Sequence, residues 1–446
     1  MSTVNPIPGS ERPPSLAWER QPVIPEKGVS LGQDAWRRLK RNRRAMASLV
    51  ALVVIAGLAF FTPLLPLQPP DDDNTKLQYQ SPTFQPLAAK TFRFDWEAVQ
   101  KTPARLAEVR SELRSAEQQR NDVRQRAVRG QDTGAQPDER LQEMRPAASG
   151  ATSESLEAAQ REVRRKTREL EDIVQRPYRD AGFADLGPVS RWMVRMRYRL
   201  FGEWSLGAVA GRDEFGRDVL SRVFWGSRIS IIVGVVATMV SLLIGVTYGS
   251  IAGYVGGWVD DVMMRIVDVL YSIPFIFIVI FIITILSQDD IKSRLEELGI
   301  DRITIFYFVV GAVYWLTMSR VVRGQVISLR NEPFVEAARA VGARQTRIIT
   351  HHILPNLLSV VIVYLTLTIP RVMLFEAFLS FLGLGVEPPD VSWGLLANEG
   401  IKVITPIRIY WWLIVYPAAA LGITLYALNF LGDGLRDALD PKLATR

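Results

Sequence analysis

Few residues in this chain have the types and spacing that chemistry requires. The sequence has no cysteine, which excludes disulfides, thiol nucleophiles and thiolate metal ligands. Its two histidines, His351 and His352, are adjacent and would point in different directions on a helix, so they do not predict a metal site. No catalytic triad or carboxylate pair is apparent, and the pattern G-x-x-x-x-G-K-[ST] is absent because Gly nowhere precedes Lys. We therefore expect no catalytic residue, cofactor or metal, and a chain that is not an enzyme by itself.

Two ionisable residues, Arg371 and Glu376, lie inside a long apolar stretch. Charge in lipid is costly, so such residues usually face a cavity or a partner. Both are candidates for a translocation path, although their spacing does not put them directly on one helix face. The alternative for Glu376 is a structural hydrogen bond at a subunit interface. Near the end of another apolar stretch, the spacing of Arg265 and Asp268 predicts a local ion pair.

The elements that must position these residues are membrane-spanning helices. A bilayer core requires about 20 consecutive apolar residues in a helix. The first qualifying stretch follows about 45 mostly polar residues and is long, which favours a retained signal anchor over a cleaved signal peptide. The 446-residue chain has six such stretches, at 46–67, 229–253, 266–286, 303–318, 357–384 and 410–431.

Basic residues near the span ends predict the orientation of the chain. Residues 36–44 contain six basic residues and no acid, and the segment between the fourth and fifth spans has six arginines against two glutamates. Because Arg and Lys are enriched in cytoplasmic segments, both should be cytoplasmic. The net charge of +7 then reflects topology, and we expect no nucleic-acid partner. The amino and carboxyl termini should both be cytoplasmic.

A large charged insert at 68–210 follows the first span, and this topology places it outside. Apolar residues recur at helical spacing over 106–126 and 155–175, which predicts two amphipathic helices joined by a flexible link as an external helical hairpin. Residues 190–204 mix Arg with Trp, Met, Tyr and Phe, a composition typical of a helix in the membrane interface. Whether the hairpin docks a partner is left open by the sequence.

The segment 330–356 is too polar to cross a bilayer and has a regular pattern. Asn331 is a candidate N-cap, Pro333 suits a first helical turn, and Gly342 supplies a helix stop. A second short segment leads to Pro355, expected as the first residue of the fifth span. The pattern predicts a short helix–turn–helix that fits a groove on another protein, with a plain connector as the alternative.

These residues carry a family resemblance. Glu336, Ala337, Ala338, Gly342, Leu354 and Pro355 resemble the EAA loop of ABC importer permeases. The stretches 211–230, 251–274, 319–329, 379–394 and 431–443 are similar to the dipeptide/oligopeptide/nickel group, specifically its C-type permease subunit. The resemblance implies an all-α membrane protein with six transmembrane helices and a type I importer (MetI-like) fold. Together with the apolar stretches and the charge bias, it divides the chain into a cytoplasmic tail (1–45), a first transmembrane helix (46–67), the external insert (68–210) and a permease core (211–446) with five transmembrane helices.

The resemblance also implies partners and a location. A permease of this group lies in the bacterial inner membrane with a second, B-type permease, two ABC ATPase subunits and an external solute-binding protein. The loop 330–356 would couple ATP hydrolysis to transport of peptides or similar small solutes. Arg212 replaces the usual threonine, and the insert is larger than expected. The alternatives are a self-contained channel or secondary transporter, for which we find no duplicated half, and a structural or sensory protein, for which no cytoplasmic output domain is apparent.

Overall fold

The chain folds into long helices. The computed structural model describes residues 31–83, 89–90, 92–132, 145–286 and 302–439, together with 288, 291 and 295. Five of the described helices are long and apolar enough to cross a membrane, and a bent helix pair supplies a sixth candidate span. The predicted all-α, six-span fold class is confirmed. Two short strands, β1 (Ala89–Lys90) and β2 (Trp204–Ser205), pair antiparallel within the insert.

The helix bounds extend the predicted spans at most of their ends. In chain order they are α1 (Leu31–Arg41), α2 (Arg43–Phe61), α3 (Trp96–Asp132), α4 (Arg145–Arg179), α5 (Pro188–Phe201), α6 (Val219–Val255), α7 (Gly257–Ser272), α8 (Phe275–Leu286), α9 (Arg302–Leu329), α10 (Pro333–Ala340), α11 (Gln345–Ile348), α12 (Leu354–Phe381), α13 (Trp393–Lys402) and α14 (Trp412–Leu439). A turn of π-helix, Ile349–Ile353, joins α11 to α12.

The third predicted span is not one continuous helix. α7 and α8 meet at an angle of 85°. The break falls at Ile273, which has an extended backbone conformation immediately before Pro274. A proline ring disfavours the helical conformation of the preceding residue, which explains the position of the bend. The predicted span at 266–286 is therefore present as a bent pair of helices, and the sequence did not predict the bend.

The fourth span is much longer than its apolar run indicated. α9 continues past the predicted end at residue 318 because its next arginines find acidic partners on α7. Arg320 contacts Asp268 at 2.8 Å, and Arg323 donates two hydrogen bonds of 2.6 Å to Asp260. The predicted pair between Arg265 and Asp268 was wrong, because Asp268 pairs with α9 instead.

Small residues let α6 and α9 approach closely. A side-chain carbon at Gly245 would lie 2.6 Å from the Cβ of Met318, and one at Gly253 would lie 2.8 Å from the carbonyl oxygen of Arg323. On α9, a side-chain carbon at Gly311 would likewise lie 2.8 Å from the carbonyl oxygen of Ala237 on α6. Such contacts are typical of membrane helices, where close backbone approach maximises van der Waals packing. These glycines thus allow two helices of the same chain to pack closely together.

The insert contains an antiparallel coiled coil. Its helices α3 and α4 are longer than predicted, and each presents inward residues at alternating spacings of three and four. Lys166 occupies one of these core positions with only 15% of its side chain exposed, and it contacts Glu112 of α3 at 2.5 Å. A charged residue at a core position favours the register in which it is paired. The inward positions are Leu106, Val109, Leu113, Ala116, Arg120 and Val123 on α3, and Leu156, Ala159, Val163, Lys166, Leu170 and Ile173 on α4.

A cluster of aromatic rings, the aromatic foot, attaches the hairpin to the spans. Its members are Phe92, Phe94, Trp96, Tyr178, Phe183, Tyr198 and Trp225, the last on α6. The buried guanidinium of Arg197 lies 3.6 Å from the ring centroid of Phe92 and donates to the carbonyls of Leu67 and Trp204, each at 3.1 Å. Burial lowers the pKa of Arg197 to about 10. Its helix α5 therefore packs one face on the protein and leaves Trp192 and Leu200 exposed, as an interfacial helix requires.

Candidate functional site

The segment between α9 and α12 forms a compact helical knob, which we call the coupling knob (Glu332–Ile353). Its first helix, α10, begins after Glu332 rather than at the predicted cap Asn331, with Pro333 in its first turn. The helix ends where Gly342 adopts φ +82°. Gly342 N–H donates to the carbonyl of Arg339, and Ala343 N–H donates to that of Ala338. These two bonds form a Schellman cap, in which glycine supplies the left-handed residue.

The root of the coupling knob is buried. Val335, Ile348 and Ile353 are at most 1% exposed, and they join Leu357 of α12 in one apolar cluster. The remaining buried members come from α6, α9 and α12: Tyr254, Met318, Val322, Val326 and Val361. The knob is therefore close-packed against three candidate spanning helices, α6, α9 and α12.

The outer surface of the knob is open. Glu336, Ala337, Gly342 and Pro355 are exposed, while Ala338 and Leu354 are partly buried. Val341 at the turn is 88% exposed, which is unusual for an aliphatic side chain. The six residues matched to the EAA loop thus lie in one segment, of which the first four form the tip and the last two begin α12.

Arginines attach the knob to the neighbouring helices. Arg339 lies over the ring of Tyr254, with its guanidinium carbon 5.2 Å from the centroid. Arg330 donates to the carbonyl of Gly253 at 3.1 Å, just before α6 ends. The arginines between spans four and five, read from the sequence as markers of topology, therefore also have direct structural contacts.

Glu376 and Arg371 are on the same helix in different environments. Glu376 is fully buried, and it accepts a hydrogen bond of 2.8 Å from the hydroxyl of Ser380. Arg371 is exposed, and its carbonyl accepts from the Tyr314 hydroxyl. The structure does not bring the two side chains together, and of the pair only Arg371 reaches the surface of this chain.

A buried charge cluster at the start of α6 was not predicted from the sequence. Arg222, 1% exposed, contacts Asp213 at 2.8 Å and Glu399 of α13 at 2.5 Å. Arg217 joins the cluster through Asp213 at 2.7 Å and Asp71 at 3.7 Å. Burial raises the pKa of Asp71 to about 6 against the opposing effect of the two arginines. Asp213 and Arg217 are only four residues apart, but Asp71 and Glu399 are distant in the chain, so local spacing could not have indicated the whole cluster.

Arg212, the departure from the family pattern, has a structural role. Its guanidinium donates to the carbonyl of Gly216 at 2.6 Å, and its own carbonyl accepts from the Trp412 indole at 3.2 Å. Asp218 then caps α6 by accepting from Ser221 N–H. Among the described residues, no group of three or more His, Asp or Glu side chains is placed to hold a metal ion.

Two family models match the chain. Residues 245–445 match the binding-protein-dependent transport system inner membrane component, and residues 30–85 match the N-terminal transmembrane domain of oligopeptide transport permease C. The hairpin lies outside both matched ranges. A chain of the MetNI methionine ABC transporter covers 49% of this chain and 96% of its own length, at 18% identity and a TM-score of 0.37. That score is too low to support an argument.

Curated relatives are much more similar. The oligopeptide transport system permease protein OppC of Escherichia coli K12 is 49% identical over 236 residues, which are 53% of this chain and 73% of that protein. The dipeptide transport system permease protein DppC of Bacillus subtilis is 45% identical over 52% of this chain and 68% of its own length. The glutathione transport system permease protein GsiD of Salmonella paratyphi A is 43% identical, with coverage of 52% and 72%. This chain therefore belongs to the family of binding-protein-dependent inner-membrane transport components, as a multi-pass permease subunit of the OppC/DppC type and not an enzyme.

Proposed function

We propose that this chain is a permease subunit of an ATP-driven importer and that the coupling knob docks on a separate ATPase subunit. The observation that carries the proposal is the contrast within the knob, whose tip is exposed while its root is buried among three spanning helices. Glu336, Ala337, Ala338 and Gly342 would enter the ATPase groove, and Leu354 and Pro355 would pass the movement to α12. A self-contained channel or carrier would have no use for such a knob.

Transport would then depend on movement of the knob being passed to the spanning helices. Closure of the ATPase subunits on ATP would move the knob, and the cluster of Val335, Ile348, Ile353 and Leu357 would carry α6, α9 and α12 with it, because a close-packed interface moves as a unit. The helices would rock between inward-open and outward-open states. The chain needs no nucleotide site of its own in this mechanism.

The translocation path would form with a second, B-type permease. Arg371 is the better candidate for its lining, because an exposed arginine in a spanning helix needs a cavity or a partner. Glu376 would hold the end of α12 through Ser380 instead of meeting solute. An external solute-binding protein would deliver a peptide or a similar small solute, as the names of the relatives indicate for those systems.

The orientation is part of the proposal. The coupling knob, the amino-terminal tail and the carboxyl terminus would be cytoplasmic, and the hairpin insert would be external. The segment 36–44 and the knob, both rich in arginine, would then be on the same side, in agreement with the charge bias of membrane proteins.

The test is affinity purification of the tagged full chain in mild detergent, followed by mass spectrometry of the bound proteins. Wild type should retain two P-loop ATPase subunits and a second permease. Glu336→Lys should lose the ATPases and keep the permease, because only the tip of the knob changes. Glu108→Lys on the exposed face of α3 makes the same charge change far from the knob and should retain every partner.

Two results would contradict the proposal. Retention of ATPases by Glu336→Lys, with transport intact, would show that the knob tip is not the docking site. Purification of the wild-type chain alone, with transport or conductance in liposomes, would favour a channel or carrier.

A further inference from the structure

The junction of α1 and α2 forms a basic surface that the transport mechanism does not use. Asn42 separates the two helices, and its side chain caps α2 by accepting from Ala45 N–H at 3.2 Å. Around this junction five basic side chains are exposed, and we call them the basic elbow: Arg37, Lys40, Arg41, Arg43 and Arg44. Within the described part of the chain, none of the five forms an ion pair.

The basic elbow is held in a defined position. Leu39 and Ala45 are buried against Ala438 of α14. Gly434, also on α14, contacts Ala45 closely enough to exclude a larger side chain. On α1, Arg37 and Arg41 are four residues apart and share a face away from buried Leu39. The elbow is therefore a fixed surface and not a mobile tail.

The elbow is also at the correct depth for lipid headgroups. The candidate first span begins at Arg43, so Arg43 and Arg44 lie in its first turn, and the other basic residues of the elbow lie on α1 just before it. Trp36 is 46% exposed on the same helix, with the Lys40 ammonium 5.3 Å from its ring centroid. Half-exposed tryptophan beside basic residues is typical of the headgroup region, where an amphipathic ring is partly solvated.

We propose that the basic elbow binds the phosphate headgroup of an anionic phospholipid in the leaflet that faces α1. Unpaired guanidinium groups donate two parallel hydrogen bonds to phosphate, which a zwitterionic lipid matches less well because its own cation repels them. The bound headgroup would fasten the end of α14 to the membrane surface through α1. This inference does not depend on the transport function, since it concerns a different face and ligand.

The test is native mass spectrometry of the full-length chain released from detergent in the presence of phosphatidylglycerol or phosphatidylcholine. Each basic residue near a membrane surface changes binding about fivefold, so Arg37→Gln with Arg41→Gln should weaken phosphatidylglycerol binding about 25-fold. The matched control is Arg110→Gln with Arg114→Gln, two exposed arginines at the same spacing on α3. The control should bind phosphatidylglycerol as wild type does.

A second double variant that keeps the charges is the control for misfolding or misinsertion of the first. Arg37→Lys with Arg41→Lys keeps all six basic charges of the segment but loses the parallel hydrogen bonds, so its binding should lie between that of wild type and that of the Gln pair. Equal loss in the Gln and Lys pairs, equal loss in the α3 control, or equal binding of phosphatidylcholine would each overturn the proposal. Full displacement of the lipid by millimolar inorganic phosphate would also overturn it, because the site would then recognise a free anion.

Discussion

Gly342 offers the sharpest test of how the coupling knob is built. Its φ of +82° lies in the left-handed region, and the two hydrogen bonds of the cap depend on it. A side-chain carbon at this position would have no neighbour within 4 Å. The effect of Gly342→Ala is therefore conformational strain alone, without a steric clash. The substitution therefore tests the backbone geometry of the cap and introduces no clash with neighbouring residues.

The size of the effect follows from that strain. An L-residue in the left-handed conformation costs about 1–2 kcal/mol, which the chain relieves by opening the cap. A change of this size alters an equilibrium by about 5- to 30-fold. If docking requires the capped knob, ATPase affinity should fall by up to this factor. Gly342→Asn should lose less, because asparagine tolerates the left-handed region, and Gly342→Val should lose more.

The assay titrates the purified chain in detergent with the ATPase subunits that co-purify with wild type, and it measures the affinity of the two for each other. The matched control is Gly422→Ala in α14, where a side-chain carbon also meets open space but the backbone is helical. That variant should bind as wild type does. Wild-type affinity in both Gly342→Ala and Gly342→Val would refute the reasoning, because the cap geometry would then be irrelevant to docking.

Three further predictions concern stability. Gly253→Ala places a carbon 2.8 Å from a backbone carbonyl of α9, so its thermal midpoint in detergent should fall by an amount equivalent to about 1–3 kcal/mol, whereas Gly57→Ala, with open space, should leave it unchanged. Arg197→Met removes this donor from the buried carbonyl of Leu67, at about 1–3 kcal/mol, and from the partly buried carbonyl of Trp204, so limited proteolysis should release the hairpin faster, with Arg197→Lys intermediate. The pKa of Asp71 is raised from 3.8 to about 6, so the folded state binds more protons between these values, and this residue makes the wild type more stable as pH falls from 7 to 4. Asp71→Asn should therefore flatten part of the pH dependence of unfolding, and an unchanged slope would contradict the assigned burial.

The sequence predicted the spans well where apolar runs were long and uninterrupted. It missed the bend at Pro274 because the apolar run continues through the proline, and composition does not report a change of helix direction. It ended the fourth span too early because Arg320 and Arg323 appear too polar to be helical membrane residues. Their acidic partners on α7 are more than fifty residues away, so pairing could be seen only in three dimensions.

The coupling knob was the most predictable part of the candidate site. Pro333, Gly342 and Pro355 act through the backbone within a few residues of themselves, so their local positions could be predicted from sequence alone. The buried root could not, because Val335 packs in one cluster with Tyr254 of α6, a helix that begins more than a hundred residues earlier. Likewise, the spacing of Arg371 and Glu376 left both as candidates for one path, and only packing showed that one is buried and the other exposed.

The sequence by itself determined the membrane class and the helical hairpin, since these depend on composition and on periodicity within single helices, and its ordered motifs indicated the family by resemblance. Tertiary structure decided which charges pair, how the aromatic foot anchors the insert and which face of each helix is buried. Those properties arise from contacts between distant segments. In particular, the cluster of Asp71, Asp213, Arg222 and Glu399 exists only after the fold has brought its members together.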